Sequence, residues 1–417
     1  MEVAPPPCEG GRKAIAPDQV MYAEITVAGV RPAAFSTVPR LTQSAIKRPM
    51  LRTFDNRSLR GAFALALCLL GLVLSAPPSG AAAADPRGVA PASPNPLEGL
   101  RFFVDQESPA WQQWEAYRRT GQPGKANLIW RIAREPRALW LGAFTRPRFA
   151  FKVRRLIDAA RAQGTVPIFT VLRAEATGCG PGYTGGGPAQ DARTREWYDD
   201  LARVIGDARV VIAFEPDSLG TLDCQIPSRR DDRLRVLAHG VTALSRLPNA
   251  TIYLEAGASD WEAPARTAKQ LRIVGISKVR GFMLNVTHYD WTAANIRHGL
   301  DISRRVGGKP FVINTSQNGR GPVSYRSNHR RINVWCNPGL RGLGPPPTTE
   351  TSHRKVDAYL WLNRPGYAQA CQGRPIAWYP PRALSYARLA TTWESPPRGS
   401  RFGHFKRYPL SAFGIPR

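Results

Sequence analysis

Val210-Val211-Ile212-Ala213-Phe214-Glu215-Pro216-Asp217-Ser218-Leu219-Gly220 is the stretch on which the fold turns. Its first five residues are apolar without alternation, the pattern of a strand buried on both faces of a parallel sheet. Two carboxylates follow where the strand must end. Pro216 between them cannot extend a ladder. In a βα-barrel the C-terminal ends of the strands carry the chemistry. Asp217 is therefore a candidate general acid. The residues alone equally permit an N-cap for the next helix, formed with Ser218.

Outward from this stretch, short apolar runs alternate with helical periods. Strands are expected at Arg101 to Asp105, Ala138 to Gly142, Val166 to Leu172, Val210 to Phe214, Thr251 to Leu254, Gly281 to Val286, Pro310 to Ile313 and Ala358 to Leu362. Helices are expected at Trp111 to Thr120, Arg148 to Gln163, Arg193 to Ile205, Asp231 to Arg246, Ala263 to Ile273, Thr292 to Val306 and Ala383 to Ala390. Strands separated by helices imply a parallel sheet. About eight such units favour a distorted (β/α) barrel of about seven to eight parallel strands. No glycine-rich dinucleotide fingerprint follows any strand, which argues against a nucleotide-dependent enzyme. Arg320 to Thr349 is rich in Pro and Gly without periodicity, and so long a loop in a compact domain is usually functional.

The chain has 417 residues, 43% of them apolar, and a formal charge of +27. Arg supplies most of the positive charge, and no compact basic run is interleaved with aromatics. Nucleic acid is not expected as a partner. An anionic glycan or cell wall is. Near the N-terminus, Met50 is followed by Arg52, Arg57 and Arg60, the apolar run Ala62 to Ala76, and the small residues Gly80 to Ala84. This is the pattern of a signal peptide over 50–84, with 1–49 a disordered leader or a start codon placed too early. Residues 85–94 read as a linker, 95–392 as the catalytic domain and 393–417 as a basic Pro-rich tail. Residues 1–84 hold nine basic and five acidic residues, so the remainder keeps a formal charge of +23.

Six cysteines are present, without a CxxC pair or a Cys/His cluster, so no metal or other cofactor is expected. Removing the leader leaves Cys179, Cys224, Cys336 and Cys371. In an exported chain these read as two disulfides, and three pairings are open. His288, His298 and His353 are scattered without spacing or partners and read as surface or loop residues.

Taken in order, the segments FFVDQESPA from Phe102, ALWLGAF from Ala138, FEPDSLG from Phe214, YLEAG from Tyr253 and FMLNVTHY from Phe282 form a recognisable set. VGGKPFVINTSQNGRGP from Val306, VWCNPGLRGLGPPPTT from Val334, DAYLWLNRPG from Asp357 and AWYPPRAL from Ala377 continue it. The set resembles the secreted glycoside hydrolases of family 6, the endoglucanases and cellobiohydrolases, from about Asn95 to Ala390. The resemblance implies a distorted βα-barrel, hydrolysis of β-1,4-glucosidic bonds with inversion, a polysaccharide substrate and a monomer. It implies the disulfides Cys179–Cys224 and Cys336–Cys371. It makes Asp217 the general acid.

Other acidic positions of the family pattern are replaced. The Asp before the first cleft cysteine is Gly178, and the catalytic Tyr seven residues before that cysteine is Leu172. The family's proposed base, two residues before the last cysteine, is Gln369, and the Glu before it is Tyr367. The Lys before the family's Pro-Gly becomes Asn363-Arg364, while Asn314 and Glu255 each stand where the family has Asp. Gln369 cannot take a proton from water at neutral pH. Either another carboxylate substitutes (Glu175, Glu255 and Asp260 are the candidates), or the site is remodelled for another glycan, or the protein binds glycan without cleaving it. Trp261 and Trp335 match aromatic positions of the family cleft and are expected to contact sugar. Asn285, Asn363, Tyr367 and Gln369 are expected to join them. Trp361, inside a strand run, is expected in the core.

Overall fold

A computed structural model describes residues 94–142, 148–174, 188–322, 337–368 and 376–397. Seven parallel strands form one sheet in chain order: β1 (Leu139–Leu141), β2 (Ile168–Val171), β3 (Val210–Phe214), β4 (Ala250–Glu255), β5 (Gly281–Leu284), β6 (Phe311–Asn314) and β7 (Val356–Leu360). Each pairs only with its sequence neighbours, so the sheet curls steadily in one direction. The expected distorted βα-barrel is the architecture found.

The unbroken apolar reading of β3 follows from its two buried faces. Val210, Ile212 and Phe214 point into the layer shared with the outer helices, beside Val236, Leu237 and Val241. Val211 and Ala213 point inward, with Ile168, Tyr253, Met283, Val312, Ala358 and Leu360. The period of two is present, but both phases are apolar. At the lower end of the barrel Arg280 holds Asp357 through two hydrogen bonds of 2.9 Å. The Tyr253 hydroxyl donates to the same carboxylate at 2.7 Å.

Helices α3 (Arg148–Ala162), α4 (Pro188–Ile205), α5 (Pro227–Leu244), α6 (Pro264–Val274) and α7 (Thr292–Arg305) connect successive strands from β1 to β6. Before β1 stand α1 (Pro109–Arg119) and α2 (Pro123–Ala133). The sequence reading assigned no helix to 123–133. Its signal is present in the buried Ala126, Ile129, Ile132 and Ala133, which share one face, and in Pro123 at the first turn. These residues pack on α8 (Pro380–Arg388) in a third, smaller core, and Trp361 is buried there as expected.

The segment Arg101 to Asp105 does not form the expected first strand. It makes one parallel bridge, Phe102 with Val166, below the point where β1 joins β2. The chain then turns at Asp105, whose side chain accepts from the Glu107 amide at 3.0 Å, and enters α1. A short antiparallel pair, β8 (Tyr367–Ala368) and β9 (Ala377–Trp378), precedes α8. The first residues of the tail lie on the domain. Glu394 accepts from Tyr359 at 2.6 Å, from Ser352 at 3.0 Å and, through its carbonyl, from the Ala293 amide.

Between β1 and β7 no ladder forms among the described residues. One backbone bond, Ala138 to Trp361, crosses this seam at 2.8 Å. The Trp140 indole and the Thr170 hydroxyl both donate to the Leu362 carbonyl, at 3.0 and 2.9 Å.

Candidate active site

The C-terminal ends of β3, β4 and β5 converge on Asp217. Two residues there, Glu215 (φ 56°) and Asp217 (φ 67°), occupy the left-handed region that non-glycine residues avoid. Tertiary bonds hold them. Glu215 is fully buried. One of its oxygens accepts from the Tyr198 hydroxyl at 2.6 Å and the Arg173 amide at 2.8 Å, and the other from the Ala174 amide at 3.0 Å. Glu215 thus ties the end of β2 to the end of β3. Burial pushes its carboxyl up to about 7 despite these donors.

Asp217 is partly exposed. Its carboxyl accepts from the Thr287 hydroxyl at 2.5 Å, and its carbonyl accepts from the Thr221 amide and hydroxyl at 3.0 and 2.6 Å. Among the described residues the carboxyl caps no helix, so of the two roles open to it in sequence the structure does not take the N-cap. Burial raises the Asp217 pKa. The Thr287 hydrogen bond and the charge of His288 oppose that rise.

Glu255 ends β4 and is buried beside this loop. Its two oxygens accept from the Leu219 amide at 2.9 Å and the Gly257 amide at 2.6 Å. It braces the turn that carries Asp217. Burial first, and the Asp217 charge second, push its carboxyl up to about 8.

Trp261 lies over Gly220, where a Cβ would come within 2.6 Å of the indole. The other ring packed on Trp261 is His288, stacked at 4.6 Å with 19° between planes. His288 is not a surface residue: it is buried, and its Nδ1 lies 2.8 Å from Asp260. The sequence hint for this pair is positional, since both residues sit a few places beyond the ends of neighbouring strands. His298 is half-buried and its pKa falls to about 4 through burial. The His353 ring accepts from the Lys355 amide in a turn.

Asn285, also left-handed (φ 67°), is fully buried. Its amide donates to the Asp290 and Asn314 carbonyls, both at 3.1 Å. Asn314 returns bonds to the Asn285 and Val286 carbonyls and accepts from the Leu362 and Asn363 amides. Asn363 donates to Val286 at 2.9 Å. Three amide side chains thus bind the ends of β5, β6 and β7 together, and Asn285 offers no exposed surface to a ligand. Trp291 is buried, with Gly321 against its ring. Tyr367 is partly exposed beside Trp378. The Arg364 guanidinium lies over both the Tyr367 and the Trp140 rings, at 5.1 and 4.7 Å. Neither Trp140 nor Thr287 was singled out in sequence, because each lies in a run that core packing already explains.

Glu175, Gly178, Cys179, Trp335, Cys336, Gln369, Cys371 and the side chain of Cys224 lie outside the described residues. Both expected disulfides and the Gln369 position fall there.

The sequence profile described as "Glycosyl hydrolases family 6" matches residues 97–375. Endoglucanase A of Cellulomonas fimi is 35% identical over 302 residues, 71% of this chain and 62% of that protein. The chain therefore spans less than two thirds of that relative's length. Endoglucanase 1 of Streptomyces halstedii is 31% identical over 317 residues, 75% of this chain and 91% of that protein. Among solved structures, an endoglucanase Cel6 from Mycobacterium tuberculosis, in complex with a methyl-cellobiosyl thio-cellobioside, superposes with a TM-score of 0.63 at 35% identity. The match covers 71% of this chain and 99% of that one.

Proposed function

The chain belongs to the glycosyl hydrolases of family 6, and from that premise we propose that it hydrolyses a β-1,4-linked glucan or a related polysaccharide, with inversion and with Asp217 as general acid. The observation that carries this reading is the setting of Asp217. Its carboxyl stands at a strand end, partly exposed, in a backbone conformation that the fold must enforce, and burial favours its protonated form. A glycosidic oxygen needs a proton as it leaves, and a carboxyl whose burial favours the protonated form is suited to supply it. Thr287 then stabilises the carboxylate that remains.

An inverting reaction also needs a base to activate water from the opposite face. In this reading Gln369 replaces the usual base, and another carboxylate takes that part. Glu255 suits it poorly, since both its oxygens accept amides and its proton is held to about pH 8. Glu255 is better read as the brace of the acid's loop. Glu175 and Asp260 remain the candidates. Loss of base catalysis would lower the rate roughly 100- to 10,000-fold. A second reading, a glycan-binding protein without turnover, is favoured specifically by Gln369 and Gly178.

Trp261 supports sugar contact, being a partly exposed indole fixed between Gly220 and His288. Trp335 is proposed to contact the chain because it matches an aromatic position of the family cleft, and Tyr367 because it puts a partly exposed ring where the family has a Glu. The leader pattern at 50–84 and the four remaining cysteines support an exported protein with two disulfides, and the family resemblance gives the pairs as Cys179–Cys224 and Cys336–Cys371. The formal charge of +23 beyond residue 84 supports an anionic wall or glycan as a further partner.

Reducing-sugar release from neutral and acidic polysaccharides, by the parent and by Asp217→Asn, tests the reading. Release by the parent alone supports it. Equal release by both would assign Asp217 a structural role.

A further inference from the structure

The α1–α2 hairpin carries a feature that the proposed reaction does not use. Trp111, Trp114 and Trp130 form one cluster, with ring centroids 5.0, 5.6 and 4.5 Å apart. All three are only partly buried. The core beneath them is already filled by Ala110, Ile129, Ile132 and Ala133. Trp114 and Trp130 line a surface depression of about 580 Å³, together with Arg118, Pro123 and Asn127.

Three donors of this depression face water without a protein acceptor among the described residues. Trp111 donates its indole N–H to Glu115 at 3.2 Å. Elsewhere Trp140 and Trp361 donate theirs to backbone carbonyls. The indole N–H groups of Trp114 and Trp130 find no acceptor among the described residues, and neither does the exposed Asn127 amide. The Arg118 guanidinium, on an exposed side chain, rests over Trp114 at 4.9 Å. Large aromatic faces joined to water-facing donors, in a concave setting, match a ligand that is flat and apolar on its faces and rich in oxygen acceptors at its rim. A pyranose has that chemistry. An apolar peptide would leave the donors unpaired, at a cost for each one desolvated.

We propose that the depression bounded by Trp114, Trp130 and Asn127 is a second glycan-binding site, which holds a strand of β-linked glucan outside the catalytic cleft. The choice of glucan rests on the function proposed above; the site itself rests on the hairpin.

The test uses the full chain on swollen insoluble cellulose. Trp114→Ala is expected to lower retention about tenfold, the loss of one stacking contact and its hydrogen bond. Asn127→Ala, at an exposed position where folding is not at risk, is expected to weaken retention in the same direction. Both variants should keep the parent's KM for soluble cellotetraose, which occupies the cleft. Should the parent show no turnover, the retention measurement still stands by itself, so the two proposals fail separately. Unchanged retention in a folded Trp114→Ala and in Asn127→Ala would overturn the inference. So would retention on cellulose that high salt abolishes in the parent, because charge alone would then account for it.

Discussion

Thr287 places its hydroxyl 2.5 Å from the carboxyl of Asp217, a residue seventy positions earlier in the chain. The two meet because β3 and β5 end at the same level of the barrel, with β4 between them. The bond favours the ionised form of Asp217, against the burial that favours the proton. Thr287→Val should therefore raise the Asp217 pKa and make it a poorer acid. In a pH–rate profile the alkaline limb is expected to move to higher pH. The maximal rate should fall about tenfold, the scale of one hydrogen bond to a charged group. A profile identical to the parent's would mean that the bond is absent during turnover.

Asp217→Asn keeps the shape of the side chain and removes its proton. Turnover of cello-oligosaccharides should fall at least a hundredfold. Affinity for them, measured calorimetrically, should remain within a factor of a few.

Glu215 and Glu255 make stability depend on pH in an unusual direction. Both titrate higher in the folded protein, at about 7 and about 8, than in the unfolded chain, where Glu ionises near 4.3. The folded state binds more protons between those limits. The contribution of these groups is thus fully present below about pH 4 and is lost as pH rises through 7 and 8. Considered alone, these two groups should make the midpoint of chemical unfolding fall from pH 5 to pH 8. Glu255→Gln should flatten that slope. It should also cost about 1–2 kcal/mol at pH 5, because its NH2 must face either the Leu219 or the Gly257 amide.

Asp357 neutralises Arg280 and accepts from Tyr253 in the barrel interior. Asp357→Ala would remove the carboxylate shared by a largely buried guanidinium and a fully buried hydroxyl. The expected loss is about 3–5 kcal/mol, read from urea unfolding. A loss below 1 kcal/mol would mean that water replaces the carboxylate.

Gly220→Ala would bring a methyl group within 2.6 Å of the Trp261 indole. The ring must then shift, which disturbs its stack on His288. If Trp261 contacts sugar, KM for cello-oligosaccharides should rise several-fold, the scale of a disturbed aromatic contact, with the melting temperature little changed.

The barrel was legible because β3, β5 and β6 are short, apolar and bounded by turn residues, so few other arrangements could bury both of their faces. Asp217 was legible because Pro216 marks where the ladder stops. Thr287 and His288 were not, and Asp260 was legible only as a spare carboxylate, since their significance lies in which strand ends become neighbours, and that depends on register. Asn285 misled for a related reason. An amide at a strand end serves equally to contact a ligand or to tie adjacent strands, and only its full burial, with both donors used, decides in favour of the tie. The α1–α2 hairpin was half legible: the sequence pattern marks α1, but no element is assigned between it and β1.

The seam between β1 and β7 has a mechanical consequence. A cylinder laced all round by ladders must break several hydrogen bonds at once to widen. Here, among the described residues, a single backbone bond and two side-chain bonds to one carbonyl span the gap. Thermal opening should therefore start along this line, and the Ala138 amide should exchange with deuterium ahead of those in β3 and β4. The wall of the barrel behaves less like a pipe than like a rolled sheet held at its overlap by a few pins.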